Sequence, residues 1–230
     1  MNLRKIYNKI AKIYDLRHEN PSTKRVREKE CSLLEYVKGN ALDVGCGTGY
    51  YLKKLENCIG IDISEEMLKI ARKHGTVIQA DSSNLPFKNE TFKTVLCMFS
   101  VLNVCDWKST IKEMSRVLKK HGFCIISVAS VYDNHYSFFE KLKISPPEEK
   151  HVRIYKQKMK LRLLGKNEII EEFERNGLII EKFDSTFIFQ NPRWGDFTPF
   201  SLIEKIRLFL EKIIPLKDYG CMYFFVFKKI

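Results

Sequence analysis

Residues 42–49 read LDVGCGTG, an aliphatic run followed by glycine at every second position. A glycine-rich turn between a buried strand and a helix lets a bulky ligand approach the backbone, whose N–H groups then face an anionic part of that ligand. The dinucleotide pattern G-x-G-x-x-G is not met, because Tyr50 stands where the third glycine would be. The phosphate-loop pattern also fails, since no Gly-Lys-Ser/Thr follows. Both phosphate-binding interpretations are therefore weakened.

Strands and helices alternate along the chain around this turn. Apolar runs predict five strands, at residues 41–44, 58–63, 76–81, 92–100 and 123–130. Helices are predicted between them, at residues 50–57, 64–75 and 106–122. In the last of these helices the apolar residues share one face: Ile111, Met114, Val117 and Leu118. Apolar strands that alternate with helices predict a mostly parallel sheet covered on both faces.

The two ends of the chain add further elements. Residues 1–40 show helical periodicity and are predicted to form a helical cover, while residues 41–130 form the ligand-binding core. Period-2 alternation of basic and apolar residues predicts a strand at 158–165, followed by a helix at 167–177. Closing strands are predicted at 178–184 and 220–230. Between these strands, residues 187–215 combine an aromatic stretch with an amphipathic helix, and we expect them to form a lid.

The composition is that of a globular protein, with 44% hydrophobic and 30% charged residues among 230. The net charge of +12 is compatible with nucleic acid, an acidic lipid surface or an anionic small molecule as partner, and does not choose among them. No apolar stretch reaches the roughly 18 residues that a membrane span needs. Lysines interrupt each apolar run of the first 15 residues, so this segment lacks the apolar centre of a secretory signal and predicts a cytoplasmic location.

The cysteines favour free thiols. None of the seven has a partner at C-x-x-C spacing, and Cys58, Cys97 and Cys124 fall in apolar runs. Buried thiols in a reducing compartment are the simplest interpretation, ahead of disulfides or a metal site. No metal site is predicted.

Five segments in succession resemble the class I S-adenosylmethionine-dependent methyltransferases, and in particular their type 11 branch, which includes quinone-biosynthesis methyltransferases. LDVGCGTG is similar to the D/E-x-G-x-G-x-G motif of this family. The other segments are YNKIAKIYD (7–15), GIDISEEML (60–68), ADSSNLPF (80–87) and VLNVCDWKSTIKEMSRVLKKHG (101–122). The resemblance covers residues 7–130 and continues more loosely to the end. It implies one α/β domain over residues 1–230, with a Rossmann-like seven-stranded sheet that is mostly parallel, has helices on both faces and ends in an antiparallel strand.

The resemblance also implies where S-adenosylmethionine, and its product S-adenosylhomocysteine, would lie. The methionyl tail would follow the glycine turn, with Asp43 on its ammonium side and Tyr14 over its end. Asp62, at the end of the second strand, would accept both ribose hydroxyls, and Asp81 would face the adenine. The predicted cofactor-binding residues are Tyr14, Asp43, Gly45, Cys46, Gly47, Gly49, Asp62, Ile63, Met67, Asp81, Ser82, Phe99 and Ser100. For Tyr14 and Met67, a role in packing alone stays open.

The methyl acceptor remains open. Methyl transfer is an in-line displacement that depends on positioning and desolvation, so no particular catalytic residue is predicted. The aromatic insert favours a small molecule. The stretch 150–166, KHVRIYKQKMKLRLLGK, has seven Lys or Arg and no acid, and it leaves tRNA as an alternative because wobble-uridine methyltransferases share the type 11 core. A third alternative is a non-catalytic partner subunit that only binds the cofactor.

Overall fold

The computed structural model describes residues 2–133, 149–154, 157–188 and 216–230, with the separate positions 142, 206, 209–211 and 213. The expected lid, 187–215, lies almost wholly outside these residues and stays a prediction. The α-helices are α1 (Leu3–Ile10), α2 (Pro21–Ser32), α3 (Glu65–Ala71), α4 (Trp107–Val117) and α5 (Lys166–Arg175). The strands are β1 (Ala41–Val44), β2 (Cys58–Asp62), β3 (Thr76–Gln79), β4 (Phe92–Cys97), β5 (Leu118–Ala129), β6 (Glu149–Ile154), β7 (Gln157–Arg162), β8 (Leu178–Thr186) and β9 (Met222–Lys229).

Seven strands form one sheet in the order β3-β2-β1-β4-β5-β9-β8. The first five are mutually parallel, and β9 runs antiparallel to both β5 and β8. This confirms the predicted fold class, including the antiparallel final strand. The order reverses direction between β1 and β4, and open α/β sheets bind ligands beside the carboxyl ends of strands at such a reversal.

Helices pack on both faces of the sheet, and α4 and α5 do so through one apolar side each. On one face the fully buried residues Ile111 and Met114 of α4 and Phe173 of α5 join the largest core cluster. On the other face Val26 of α2 packs with Ile125 of β5. Helix starts follow local capping: the Ser64 hydroxyl accepts from the Met67 amide at 3.2 Å at the start of α3, and Asp106 caps α4.

Two helix predictions were wrong in extent. Residues 50–57 were expected to be helical, but only Leu52–Lys54 form a short 3-10 helix, after which Leu55 is extended (φ −126°, ψ 121°). The helix expected over 106–122 ends at Val117, and residues 118–122 begin β5 instead, because Leu118 pairs with Phe92 of β4. Sheet pairing thus overrides a helical sequence pattern here.

The basic segment forms a hairpin that the sequence predicted only in part. Strand β7 was expected, but its partner β6 was not, and together they form a separate two-stranded antiparallel sheet. The hairpin adjoins the main sheet through a bridge between Ser130 and Leu164. The side chain of Met159 is 1% exposed, so the hairpin presents an apolar side to the rest of the molecule.

Candidate functional site

A cavity of about 230 Å³ opens at the carboxyl ends of β1, β2, β3 and β4. Its walls come from the turns that follow those strands, from α2 and from the N-terminal segment, which contributes Tyr7 and Tyr14. Eleven of the thirteen predicted cofactor-binding residues line it: Tyr14, Asp43, Gly45, Cys46, Gly47, Asp62, Ile63, Met67, Asp81, Ser82 and Phe99. Ser100 lines a neighbouring cavity, and Gly49 lines neither.

The three glycines of the turn have different roles. All have positive φ: +72° at Gly45, +54° at Gly47 and +86° at Gly49. A Cβ on Gly45 would lie 2.5 Å from Cγ2 of Val101, so the turn passes close to the chain after β4. A Cβ on Gly49 would lie 3.2 Å from Ala71 of α3, which gives that glycine a packing role. Gly47 has only Tyr14 near its missing side chain, at 3.9 Å, and borders open cavity space.

Asp62 ties the glycine turn to the end of β2. Its Oδ2 accepts from the Gly47 amide at 3.0 Å, and its Oδ1 accepts from the Ser64 amide at 2.8 Å. Burial raises the pKa of Asp62, while these amide donors act in the opposite direction. Each carboxylate oxygen can accept a further hydrogen bond, so Asp62 can still receive hydroxyl groups from the cavity.

Asp43 is a buried acid that is only partly satisfied. Its side chain is 1% exposed, and Oδ2 has no hydrogen-bond partner among the described residues. The pKa of Asp43 is raised to about 7, first of all by burial and also by the nearby Asp62 and Glu30, against the opposing effect of Arg27. A buried oxygen without a partner that faces a cavity is suited to a cationic ligand group.

Arg27 is a site residue that the sequence analysis missed. It comes from α2, lines the cavity and is 7% exposed. Its Nη1 donates to the Tyr51 hydroxyl at 2.7 Å and to Oε2 of Glu30 at 3.2 Å. Its guanidinium carbon lies 4.0 Å from the ring centroid of Phe99. No local motif marks Arg27 as a site residue, because Tyr51 and Phe99 come from distant parts of the chain and the pairing with Glu30, three residues further along α2, is common on helices.

The backbone after β4 is held in a strained conformation. Phe99 and Ser100 have φ values of +59° and +68°, in the left-handed region that non-glycine residues rarely adopt. The Phe99 amide donates to Oε1 of Glu30 at 3.0 Å and to the Ser127 hydroxyl at 2.6 Å, and Ser127 also donates to Glu30. Glu30 is fully buried. Such strain persists where surrounding contacts determine it, and it clusters at functional sites.

Asp81 and Ser82, two other predicted site residues, make hydrogen bonds to other side chains or backbone of the protein. Asp81 accepts from the amide and hydroxyl of Ser83, at 2.9 and 2.7 Å, in the turn after β3. The Ser82 hydroxyl lies 2.9 Å from that of Thr110 on α4. Met67 is 1% exposed and packs with Ile10 and Ala11 while it also lines the cavity, so packing and ligand contact are compatible there.

A second cavity, of about 560 Å³, adjoins the first. Tyr7, Tyr14, Phe99 and Val104 line both. The remaining wall of the second cavity comes from the 3-10 segment before α2, from α2, from the chain after β4, from the end of β5, from the β6–β7 hairpin and from the start of β9. It includes Arg17, Asn20, Thr23, Val26, Ser100, Ala129, Asp133, Lys150, His151, Val152, Met159, Leu161 and Met222.

The cysteines are free thiols, and five of the seven, including Cys58, Cys97 and Cys124, are buried. Within the described part of the chain, no group of three or more His, Cys, Asp or Glu side chains is arranged to hold a metal ion. In that same part, every helix is too short or too polar to cross a membrane.

Comparison with known proteins agrees with this geometry. Residues 42–126 match the family model described as a methyltransferase domain. A demethylmenaquinone methyltransferase of Staphylococcus aureus is 29% identical over 204 residues, 77% of this chain and 82% of that protein. A solved Thermotoga maritima structure, described as an S-adenosylmethionine-dependent methyltransferase and possible histamine N-methyltransferase, superimposes with a TM-score of 0.64 at 24% identity, covering 99% of this chain and 100% of the other.

Residues 42–126 are therefore similar to a methyltransferase domain, in agreement with the resemblance noted in the sequence, and the fold is that of solved S-adenosylmethionine-dependent methyltransferases. An uncharacterized protein of Methanocaldococcus jannaschii is 42% identical over 136 residues, 58% of this chain. The chain spans 54% of that relative and 60% of a second one from the same organism, little more than half of their lengths.

Proposed function

We propose that this protein transfers a methyl group from S-adenosylmethionine to a small-molecule acceptor. One observation carries the proposal: the glycine turn, a partly unsatisfied acid, a second acid at the end of β2 and a buried arginine all line a single cavity at the reversal point of the sheet. When bound there, the cofactor supplies an electrophilic methyl group on its sulfonium.

This cavity offers an acid and a base of opposite charge to the ammonium and carboxylate groups at the methionyl end of the cofactor. Asp43 offers a buried carboxylate oxygen that no described residue hydrogen-bonds, which suits the ammonium group. Arg27 offers a guanidinium whose buried Nε also has no partner among the described residues, which suits the carboxylate. The two ends of an amino acid therefore meet complementary side chains, and Gly47 leaves room for its backbone atoms.

The nucleoside end matches the acids that follow β2 and β3. Asp62 would accept the ribose hydroxyls with the lone pairs that its two backbone donors leave free. Ile63 and Met67 supply apolar surface for the adenine, and Asp81 with Ser82 lies at the same wall. The chain itself contributes to the reaction by binding and orienting the two reactants and by excluding water. Phe99 and Tyr14 do this at the boundary between the two cavities.

Ion pairing in the basic stretch favours a small-molecule acceptor over tRNA. Four of the seven basic side chains in 150–166 already have acidic partners: Lys150 with Asp133, Lys160 with Glu149, Arg162 with Glu168 and Lys166 with Asp218. These pairs lower the positive charge that a phosphate backbone would meet. The second cavity, in contrast, has a volume of about 560 Å³, a size suited to a small molecule.

Calorimetry with S-adenosylhomocysteine tests the cofactor site. Wild type should bind, and Asp62→Asn should bind at least about tenfold more weakly, because an amide cannot accept hydrogen bonds on both atoms. Glu65→Gln is the matched control, since Glu65 is exposed on the neighbouring helix α3 and the change removes the same charge. Equal affinities for wild type and Asp62→Asn would reject the ribose assignment, and a wild type that does not bind would reject the proposed function.

Tritium transfer from labelled S-adenosylmethionine tests the acceptor class. Purified protein is incubated with a metabolite fraction and, separately, with an RNA fraction of cell extract. We expect label in the metabolite fraction. Label in RNA, with an RNA affinity that falls steeply with salt, would favour the tRNA alternative. Cofactor binding without transfer to either fraction would favour a non-catalytic partner subunit.

A further inference from the structure

The second cavity contains a stacked arginine that the cofactor site does not use. Arg17 is partly buried, and its guanidinium carbon lies 4.4 Å from the ring centroid of Phe99 and 4.9 Å from that of Tyr14. Both of these rings line the two cavities, whereas Arg17 lines only the second. Across the parts of the chain that the structure describes, Arg17 has no carboxylate partner. Stacking fixes a guanidinium plane and leaves its N–H edge available for a ligand.

The rest of this wall supplies little other charge. Lys150 is neutralised by Asp133, with Nζ 2.5 Å from Oδ2. Asn20 uses its side-chain oxygen to cap α2, accepting from the Ser22 amide at 2.9 Å. Apolar side chains form much of the remaining surface: Val26, Val104, Ala129, Val152, Met159, Leu161 and Met222. Among the described residues, Arg17 is therefore an arginine without a counter-ion, and it lines a largely apolar pocket.

We propose that the methyl acceptor is an apolar molecule with one acid group, a carboxylate, sulfonate or phosphate, and that Arg17 binds that group. The proposal rests on the proposed function, because the second cavity holds the acceptor only if the first holds the methyl donor. A neutral acceptor would bury the guanidinium without compensation, while an anion would supply the missing partner. Since Phe99 and Tyr14 belong to both walls, an acceptor held by Arg17 lies next to the donor cavity.

Two fluorescent probes that share one aromatic framework test this assignment. The probe 8-anilinonaphthalene-1-sulfonate carries an acid group, and N-phenyl-1-naphthylamine lacks it. Both are titrated against the full chain saturated with S-adenosylhomocysteine. Wild type should bind the sulfonate at least about tenfold more tightly than the neutral probe, the range expected for a hydrogen-bonded charge.

Three variants isolate the role of Arg17. Arg17→Gln should abolish the preference for the sulfonate and leave the affinity for S-adenosylhomocysteine unchanged. Arg17→Lys, which keeps the charge, should retain part of the preference. Arg72→Gln is the control for net charge, since Arg72 is exposed at the end of α3 and lines neither cavity, and it should behave as wild type.

The outcomes separate this inference from the proposed function. Equal affinity of wild type for both probes, or an unchanged preference in Arg17→Gln, would overturn the acid-group assignment even if the cofactor product binds. Displacement of the sulfonate by a short RNA oligonucleotide at physiological salt would also overturn it, in favour of a nucleic-acid phosphate. Failure of wild type to bind S-adenosylhomocysteine rejects the proposed function instead, and that measurement uses neither probe.

Discussion

At the scale of single residues, the site combines buried groups that are individually unfavourable. Asp43 is a carboxylate with one oxygen that has no hydrogen-bond partner in the described part of the chain, and Arg27 and Glu30 are charges removed from water. Such groups are retained where a ligand or a functional geometry compensates for the desolvation. We therefore expect substitutions at these positions to change stability and ligand binding in different ways.

Asp43→Asn should stabilise the ligand-free protein at alkaline pH and weaken cofactor binding. The folded-state pKa of Asp43, about 7, exceeds the ordinary value of 3.8, so the folded protein binds more protons between these two pH values and loses stability as the pH rises through them. At pH 8 the variant should therefore be more stable than wild type by about 1–3 kcal/mol, and near pH 4 the difference should vanish. Urea unfolding at both pH values measures this, and equal differences at the two would contradict it.

The same acid should make cofactor binding depend on pH. An ammonium group prefers the ionised carboxylate, so the affinity of wild type for S-adenosylhomocysteine should rise from pH 6 to pH 8 as Asp43 loses its proton. Asp43→Asn should bind more weakly and show a flatter profile over this range. Calorimetry at several pH values decides the matter, and parallel profiles for the two proteins would rule out Asp43 as the titrating group.

Glu30→Gln should destabilise the fold. The change removes a fully buried carboxylate that receives Arg27, Tyr51 and the Phe99 amide, and it leaves the charge of Arg27 buried without its counter-ion. Breaking a buried pair in this way costs about 3 kcal/mol or more. Glu28→Gln, on the exposed side of the same helix, is the control and should be near neutral. Similar midpoints of urea unfolding for both variants would refute the role of Glu30.

At the scale of elements, the glycine turn after β1 lies in close contact with the chain after β4, and this contact shapes the cavity wall. The two strands are neighbours at the reversal of the sheet, which brings Gly45 against Val101 and places Phe99 over both cavities. No α-helix follows the turn, since only Leu52–Lys54 become 3-10 helical. An anionic ligand group would therefore meet individual backbone amides and Arg27 here, without the aligned dipole of a long helix.

Gly45→Ala should lower cofactor affinity by about tenfold or more, because the new Cβ would displace Val101, and with it the wall of the cavity. Gly177→Ala is a control with the same backbone strain but no clash: Gly177 has φ +77°, and no atom lies within 4 Å of the added Cβ. It should cost about 1 kcal/mol in stability and leave binding of S-adenosylhomocysteine unchanged. Equal effects of the two variants on binding would mean that strain alone, and not the contact with Val101, explains the glycine.

At the scale of the whole molecule, the site lies where segments far apart in sequence meet, so a ligand there should stabilise the entire fold. S-adenosylhomocysteine at a hundredfold excess over its Kd should add about 2.7 kcal/mol and raise Tm by roughly 5–10 °C. Asp62→Asn should show a smaller rise at the same concentration. A Tm that does not respond to the ligand in wild type would contradict binding to the folded state.

The sequence by itself determined the fold class, most of the strands and helices and much of the cavity wall. Alternating apolar runs specify a parallel sheet through burial alone, and motif residues such as Gly45 and Asp62 sit at strand ends, where the topology must bring them together. These features depend on local pattern, which a linear sequence preserves. Eleven of the thirteen predicted residues line the cavity for this reason; their roles toward the cofactor stay predictions.

Tertiary structure alone decided the features that depend on contacts between distant residues. Residues 118–122 became a strand because β4 offered a partner, and β6 formed because β7 lay beside it. Arg27, Glu30 and Arg17 belong to the two sites because they contact residues far along the chain. One such contact is the hydrogen bond from Ser127 to Glu30, which are 97 positions apart. Such contacts leave no periodic trace in the sequence, because each requires the folded sheet to place the two side chains together.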